Sequence, residues 1–127
     1  MLPKRLEIHD AVYNIGRACV LVASLASGNL QALNVGTEDM LHQPYRMRLF
    51  PAMPILFHAA MSAGACGVYL SGAGSTIVAF VDGPSEAAQR VAHAMKDAAA
   101  RDGLHGRAFV TRIREEGAIL RPADRSP

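Results

Sequence analysis

From Val12 onward, the apolar residues Val12, Ile15, Cys19, Val22 and Ala26 recur at alternating spacings of three and four, which places them on one face of a helix. Leu21 and Leu25 add a second apolar row, so the pattern predicts a helix with much of its circumference buried. Asp10 is suited to cap its start, and Gly28 followed by Asn29 to stop it. Asn14 and Arg17, three apart, share a polar side. The first nine residues read as an entering strap. Short helices are predicted around Leu30 to Leu33 and from Thr37 to Leu41, the second capped by Thr37, with Glu38 and Asp39 at the positive end of its dipole. HQPYRMRLFP then breaks the periodicity and reads as a proline-stiffened loop. Ile55, Leu56, Ala59, Ala60 and Ala63 restore helical spacing, predicting a helix from about Pro51 to Ala63 ended by Gly64 and Gly67.

The pattern changes at GVYLSGAGSTIVAFVDG, which reads as two short strands around a glycine-rich turn. A further helix runs from Ser85, as its cap, to about Arg101, burying Ala87, Val91, Ala94, Met95 and Ala98. Gly103 and Gly106 bracket a loop. Arg107 to Arg114 alternates as a strand does, and a turn at Glu115–Gly117 leads into Ala118 to Leu120. The tail RPADRSP is predicted to be loose. Short turns favour antiparallel pairing, so the fold expected is α+β, with helices on one face of an antiparallel sheet.

Composition narrows the class. At 127 residues one domain is the default, and 50% hydrophobic residues with only 19% charged supply a core. Thirteen basic residues against eleven acidic leave +2, too balanced for nucleic acid or an anionic membrane, and 6% aromatics leave little to stack on bases. No apolar run approaches the roughly 20 residues of a membrane span, and MLPKRLEIHD is not a signal peptide. Cys19 and Cys66 lie in apolar segments and read as buried, reduced thiols, which fits a cytoplasmic protein.

Two segments carry candidate chemistry. In LSGAGST, Gly72 and Gly74 allow a tight turn whose amides and hydroxyls suit an anion, although the same turn serves a plain hairpin. It lacks both the GK[ST] of a nucleoside-triphosphate loop and the third glycine of a dinucleotide fingerprint. In HQPYR, Arg46 offers paired donors to a carboxylate, or simply faces water. The five histidines show no metal-ligand spacing, so no metal site is expected. Cys66 has no basic neighbour in sequence and no serine lies in a GxSxG context, so no catalytic residue is assigned.

Taken together and in order, N-x-G-R-A within DAVYNIGRACVLVASLASGNL, then HQPYR in EDMLHQPYR, then GVYLSGAGSTIVAF, resemble the C-terminal half of the homoserine kinases, of the GHMP small-molecule kinase superfamily. The likeness runs from about Leu2 to Leu120, with Ser75 standing where that family usually has proline. The resemblance implies a ferredoxin-like, four-stranded antiparallel sheet over residues 1–121, a flexible tail at 122–127, and transfer of the ATP γ-phosphoryl group to L-homoserine in threonine biosynthesis, with Mg²⁺. It implies that Arg46 grips the amino-acid carboxylate. Asn14 and Arg17 would border the substrate, and Ser71, Gly72, Ala73 and Gly74 would brace the ATP phosphate loop. That loop, of P-x-S-S-G-L-G-S-S type, occurs nowhere in this sequence. The expectation is therefore a lobe lacking its N-terminal ATP-binding counterpart, inactive alone and binding neither ATP nor Mg²⁺ tightly. It would pair with a separate lobe or, through the apolar face that a lobe normally covers, form a homodimer. A non-catalytic small-ligand or regulatory domain with the same fold is a second reading, and a purely structural domain with a coincidental turn a third.

Overall fold

A computed structural model describes residues 2–119. The elements are α1 (Ile8–Ser27), a 3-10 turn (Leu30–Ala32), α2 (Leu33–Gly36), α3 (Gln43–Met47), α4 (Met53–Ser62), β1 (Gly67–Leu70), β2 (Ile77–Phe80) and α5 (Ser85–Arg101). β1 and β2 form an antiparallel hairpin in which Val68 faces Ala79 and Leu70 faces Ile77. One face of the hairpin takes the core. Val68, Ile77, Ala79 and Val81 pack against Phe57 and Ala60 of α4 and Val91 and Met95 of α5. On the other face the Tyr69 and Phe80 rings stack, centroids 5.7 Å apart. The chain is thus α+β with helices on one side of an antiparallel hairpin.

Two glycines set the layer between α1 and the hairpin. A Cβ at Gly36 would lie 2.9 Å from the Leu21 backbone, so α2 approaches α1 more closely than any side chain permits. A Cβ at Gly67 would meet the Leu33 carbonyl oxygen at 2.7 Å, which fixes α2 against β1. Leu33, 1% exposed, fills the junction.

The outer edge of β1 has side-chain partners rather than a strand. The Val68 amide donates to Thr37 Oγ1 (3.3 Å) and the Leu70 amide to Gln43 Oε1 (2.8 Å). Two hydroxyl and amide oxygens at alternate residues do what a neighbouring strand would do, so the edge is satisfied without one.

Several expectations need correction. The sheet has two strands among the described residues, not four. Arg107–Arg114 and Ala118–Ile119 form no ladder. Alternation specifies a strand only when an edge is there to pair with, and these residues lie exposed, Phe109 at 75% and Ile113 at 81%. Leu120 and the tail lie outside the described residues. The Thr37–Leu41 helix does not form, because Thr37 Oγ1 donates back to Leu33 O and Asp39 is drawn toward the following segment. HQPYRM is helical from Gln43, with Pro44 in the first turn where its missing N–H costs nothing. Helix α1 begins at Ile8 rather than after Asp10. Its 3–4 row of Val12, Ile15 and Val22 is 61–66% exposed, and Cys19 is exposed with it. Leu21 against Gly36 and the 2%-exposed Ser24 hold α1 to the body instead. Cys66 is buried. No helix of the described residues is long and apolar enough to cross a membrane.

Candidate functional site

The polar row of α1 meets the segment that precedes α3. Asn14 Nδ2 donates to Asp39 Oδ1 (2.8 Å), and Asn14 Oδ1 accepts from the Met40 amide (2.8 Å). Arg17 Nε donates to Glu38 Oε2 at 2.7 Å, while its guanidinium lies 3.9 Å over the Tyr13 ring. The Tyr13 hydroxyl donates to the same Glu38 oxygen. That hydroxyl bond, aided by Arg17, holds the Glu38 carboxyl below the ordinary carboxylate range and pushes the Tyr13 hydroxyl up.

Asp39 ties this row to α3. Its Oδ2 accepts from the His42 amide (2.7 Å) and the Gln43 amide (2.6 Å), at the start of the helix. These are amides no intrahelical carbonyl can reach, so the carboxylate acts as a cap. Burial pushes the Asp39 carboxyl up. The bonds from Gln43, His42 and Asn14 outweigh it, and the net direction is down. Gln43, 6% exposed, then spans α3 and β1: its Nε2 donates to Thr37 O and its Oε1 accepts from the Leu70 amide.

One turn further on, Arg46 Nη1 donates to the Ala73 carbonyl at 3.0 Å. Arg46 Nε is covered, and neither it nor the covered His42 Nδ1 has a hydrogen-bond partner among the described residues. Ala73 lies in the bend between β1 and β2. Gly72 (φ 57°) and Gly74 (φ 91°) take the left-handed conformations the bend requires. The Ser71 amide donates to Thr76 O and the Gly74 amide to Ser71 O, closing the bend tightly. Residues 72–76 are open to solvent and Ser71 is half-buried. An open cleft of about 140 Å³ lies between Thr37, Gln43, Phe57, Met61 and Val68, and neither Arg46 nor the bend lines it.

The structure therefore brings Arg46 and the Ser71–Gly74 bend into contact, and links them through α3 and Asp39 to Asn14 and Arg17. The amide of Asn14 is engaged at both ends within the chain, and Arg17 is paired with Glu38. Asp39 and Gln43 were missed as site residues. For Asp39 a signal existed: a carboxylate three and four residues before His42 and Gln43, the reach of a side-chain cap. For Gln43 there was none, since burial of an amide depends on β1 arriving beside it. No group of three or more His, Cys, Asp or Glu able to hold a metal ion occurs among the described residues.

Comparison with known proteins identifies the family of the chain. Residues 21–101 match the family model described as GHMP kinases C terminal. The homoserine kinase of Moorella thermoacetica is 44% identical over 104 residues, covering 82% of this chain and 34% of that protein. That of Desulfitobacterium hafniense is 39% identical over 120 residues, covering 94% and 40%. The crystal structure of a homoserine kinase from Cytophaga hutchinsonii superposes with a TM-score of 0.82 at 30% identity, over 88% of this chain and 35% of that one. The chain thus spans about a third of the length of these relatives.

Proposed function

We propose, from the premise that this chain belongs to the GHMP kinase C-terminal family, that it serves as the substrate-side lobe of a cytoplasmic homoserine kinase in threonine biosynthesis. In the whole enzyme the hydroxyl of L-homoserine would attack the γ-phosphorus of ATP, releasing ADP and O-phosphohomoserine. The observation that carries the reading is Arg46: one guanidinium nitrogen is fixed to the glycine bend at Ala73, while the side chain as a whole stays only half-buried beside that open bend. Held in this way, the guanidinium would meet a carboxylate through its terminal nitrogens with charge-assisted bonds, its Nε being covered. Asn14 and Arg17 act one step back: they hold Asp39 and Glu38, and through Asp39 the start of the helix that carries Arg46. The Ser71–Gly74 bend offers an open, small-residue surface on which a phosphate-binding loop could rest.

ATP with Mg²⁺ would supply the phosphoryl group and its charge neutralisation. The described residues do not fit either group: they hold no metal-ligating cluster and no ATP-cradling loop. Phosphoryl transfer relies almost wholly on positioning and electrostatic stabilisation, so this lobe alone should turn over no ATP.

Titration calorimetry with L-homoserine tests the pocket. Weak binding is expected, with Arg46→Ala reducing affinity about 10- to 100-fold, since hydrogen bonds to a charged group contribute about 1.5–3 kcal/mol. Homoserine binding that Arg46→Ala leaves unchanged would remove Arg46 from the site.

A further inference from the structure

Two hydrogen bonds run from α3 to the hairpin among the described residues, and they leave from side chains three apart on one face of the helix. Gln43 Oε1 accepts from the Leu70 amide at 2.8 Å, and Arg46 Nη1 donates to the Ala73 carbonyl at 3.0 Å. The two differ in burial. Gln43 is 6% exposed, with its Nε2 tied to Thr37 O, whereas Arg46 is half-buried at the open bend. Helix α3 has five residues, too few to hold its form or its place unaided. A long guanidinium side chain loses much rotamer freedom when fixed, so one bond to a carbonyl at an open surface does not pin it unless both ends are already in place. Leu70 is the last residue of β1 before the bend. The buried bond therefore sets the offset of α3 from the bend, and the open bond depends on it.

We infer that Gln43 is a positioning residue for Arg46: through the Leu70 amide it fixes where the guanidinium stands at the Ser71–Gly74 bend. The coupling of Gln43 to Arg46 is a property of this chain alone; its consequence for an amino-acid carboxylate rests on the reading of Arg46 given above. Thr37 supplies the comparison. Its Oγ1 accepts from the Val68 amide at 3.3 Å on the same strand edge, two residues further from the bend, and it lies outside the helix that carries Arg46. A side chain that merely satisfies the β1 edge should behave like Thr37, and one that positions Arg46 should not.

Amide NMR of the full chain tests it at Gly74, whose amide shares a peptide group with the Ala73 carbonyl. Arg46→Ala removes the donor to that carbonyl and displaces the Gly74 resonance. Gln43→Met, close in size but without either bond, should displace it in the same direction by a comparable amount, and Thr37→Val should not. Gln43→Asn, one methylene shorter, withdraws the acceptor from Leu70 more gently and should displace it too, which keeps the test open if the Met variant does not fold. Gln43→Glu at pH about 5, where burial favours the neutral carboxyl, can still make both bonds and should restore the wild-type position. In the Arg46→Ala background, Gln43→Met should move the resonance no further, as coupled residues require. Homoserine affinity by calorimetry should fall about tenfold in Gln43→Met and stay unchanged in Thr37→Val. A Gly74 resonance that neither the Met nor the Asn variant moves would overturn the inference. So would an equal displacement with and without Arg46, or one that Thr37→Val reproduces. Homoserine affinity indifferent to Arg46→Ala, with the Gly74 displacements as expected, would remove the substrate reading and leave Gln43 positioning Arg46.

Discussion

Asp39 is the residue through which the polar end of the molecule is organised. Its two carboxylate oxygens take three donors, from the His42 and Gln43 amides and the Asn14 side chain. Its carboxyl is held below the ordinary value of 3.8, because those bonds outweigh the opposing effect of burial. A carboxyl whose folded value is depressed contributes stability that is full above its unfolded value and is lost as pH falls through the folded one. The melting temperature of the wild-type chain should therefore drop as pH is lowered from about 5 to about 2. Asp39→Asn should be less stable at neutral pH, and its melting temperature should fall less over the same range. Parallel pH profiles for the two proteins would show that Asp39 does not carry this charge dependence.

Element boundaries show what the sequence made legible. Helices α4 and α5 and the two strands of the hairpin follow directly from apolar spacing and from glycine at the bend, because each of those signals is local; the pairing of Val68 with Ala79 and Leu70 with Ile77 came from the structure. The spacing of Val12, Ile15, Cys19 and Val22 identified a helix and its apolar face, yet not that the face points outward; periodicity says that a face wants covering and not what covers it. Arg107–Arg114 fails for a related reason, since strand alternation has no meaning without an edge. Of the site, Arg46 and the Ser71–Gly74 bend were readable as separate motifs. Their contact, and the Asp39–Gln43 chain joining α3 to β1, needed the fold. The α1–α2 approach gives an element-scale prediction. Gly36→Val would put a Cβ 2.9 Å from the Leu21 backbone, where only a shift of the whole helix relieves the clash. A loss of about 1–3 kcal/mol is expected from urea unfolding, the range for overpacked sites. A change below about 0.5 kcal/mol, as at an ordinary surface site, would mean that α1 is not seated there.

At the scale of the whole molecule, the chain is a layered half-site. A helix pair covers one face of a hairpin, α2 and the capped β1 edge form a middle layer, and α1 lies outermost. Arg46 and the glycine bend sit together at an open surface. Such a half-site orients one reactant and leaves the other to be supplied from elsewhere. The direct test is a chimera in which this chain replaces the matching C-terminal third of the Moorella thermoacetica homoserine kinase, assayed for homoserine-dependent ADP release. The chimera should turn over, this chain alone should not, and Arg46→Ala in the chimera should raise KM for homoserine at least about tenfold. A folded chimera without activity, or one indifferent to Arg46→Ala, would contradict the assignment of this lobe to the substrate side of a homoserine kinase.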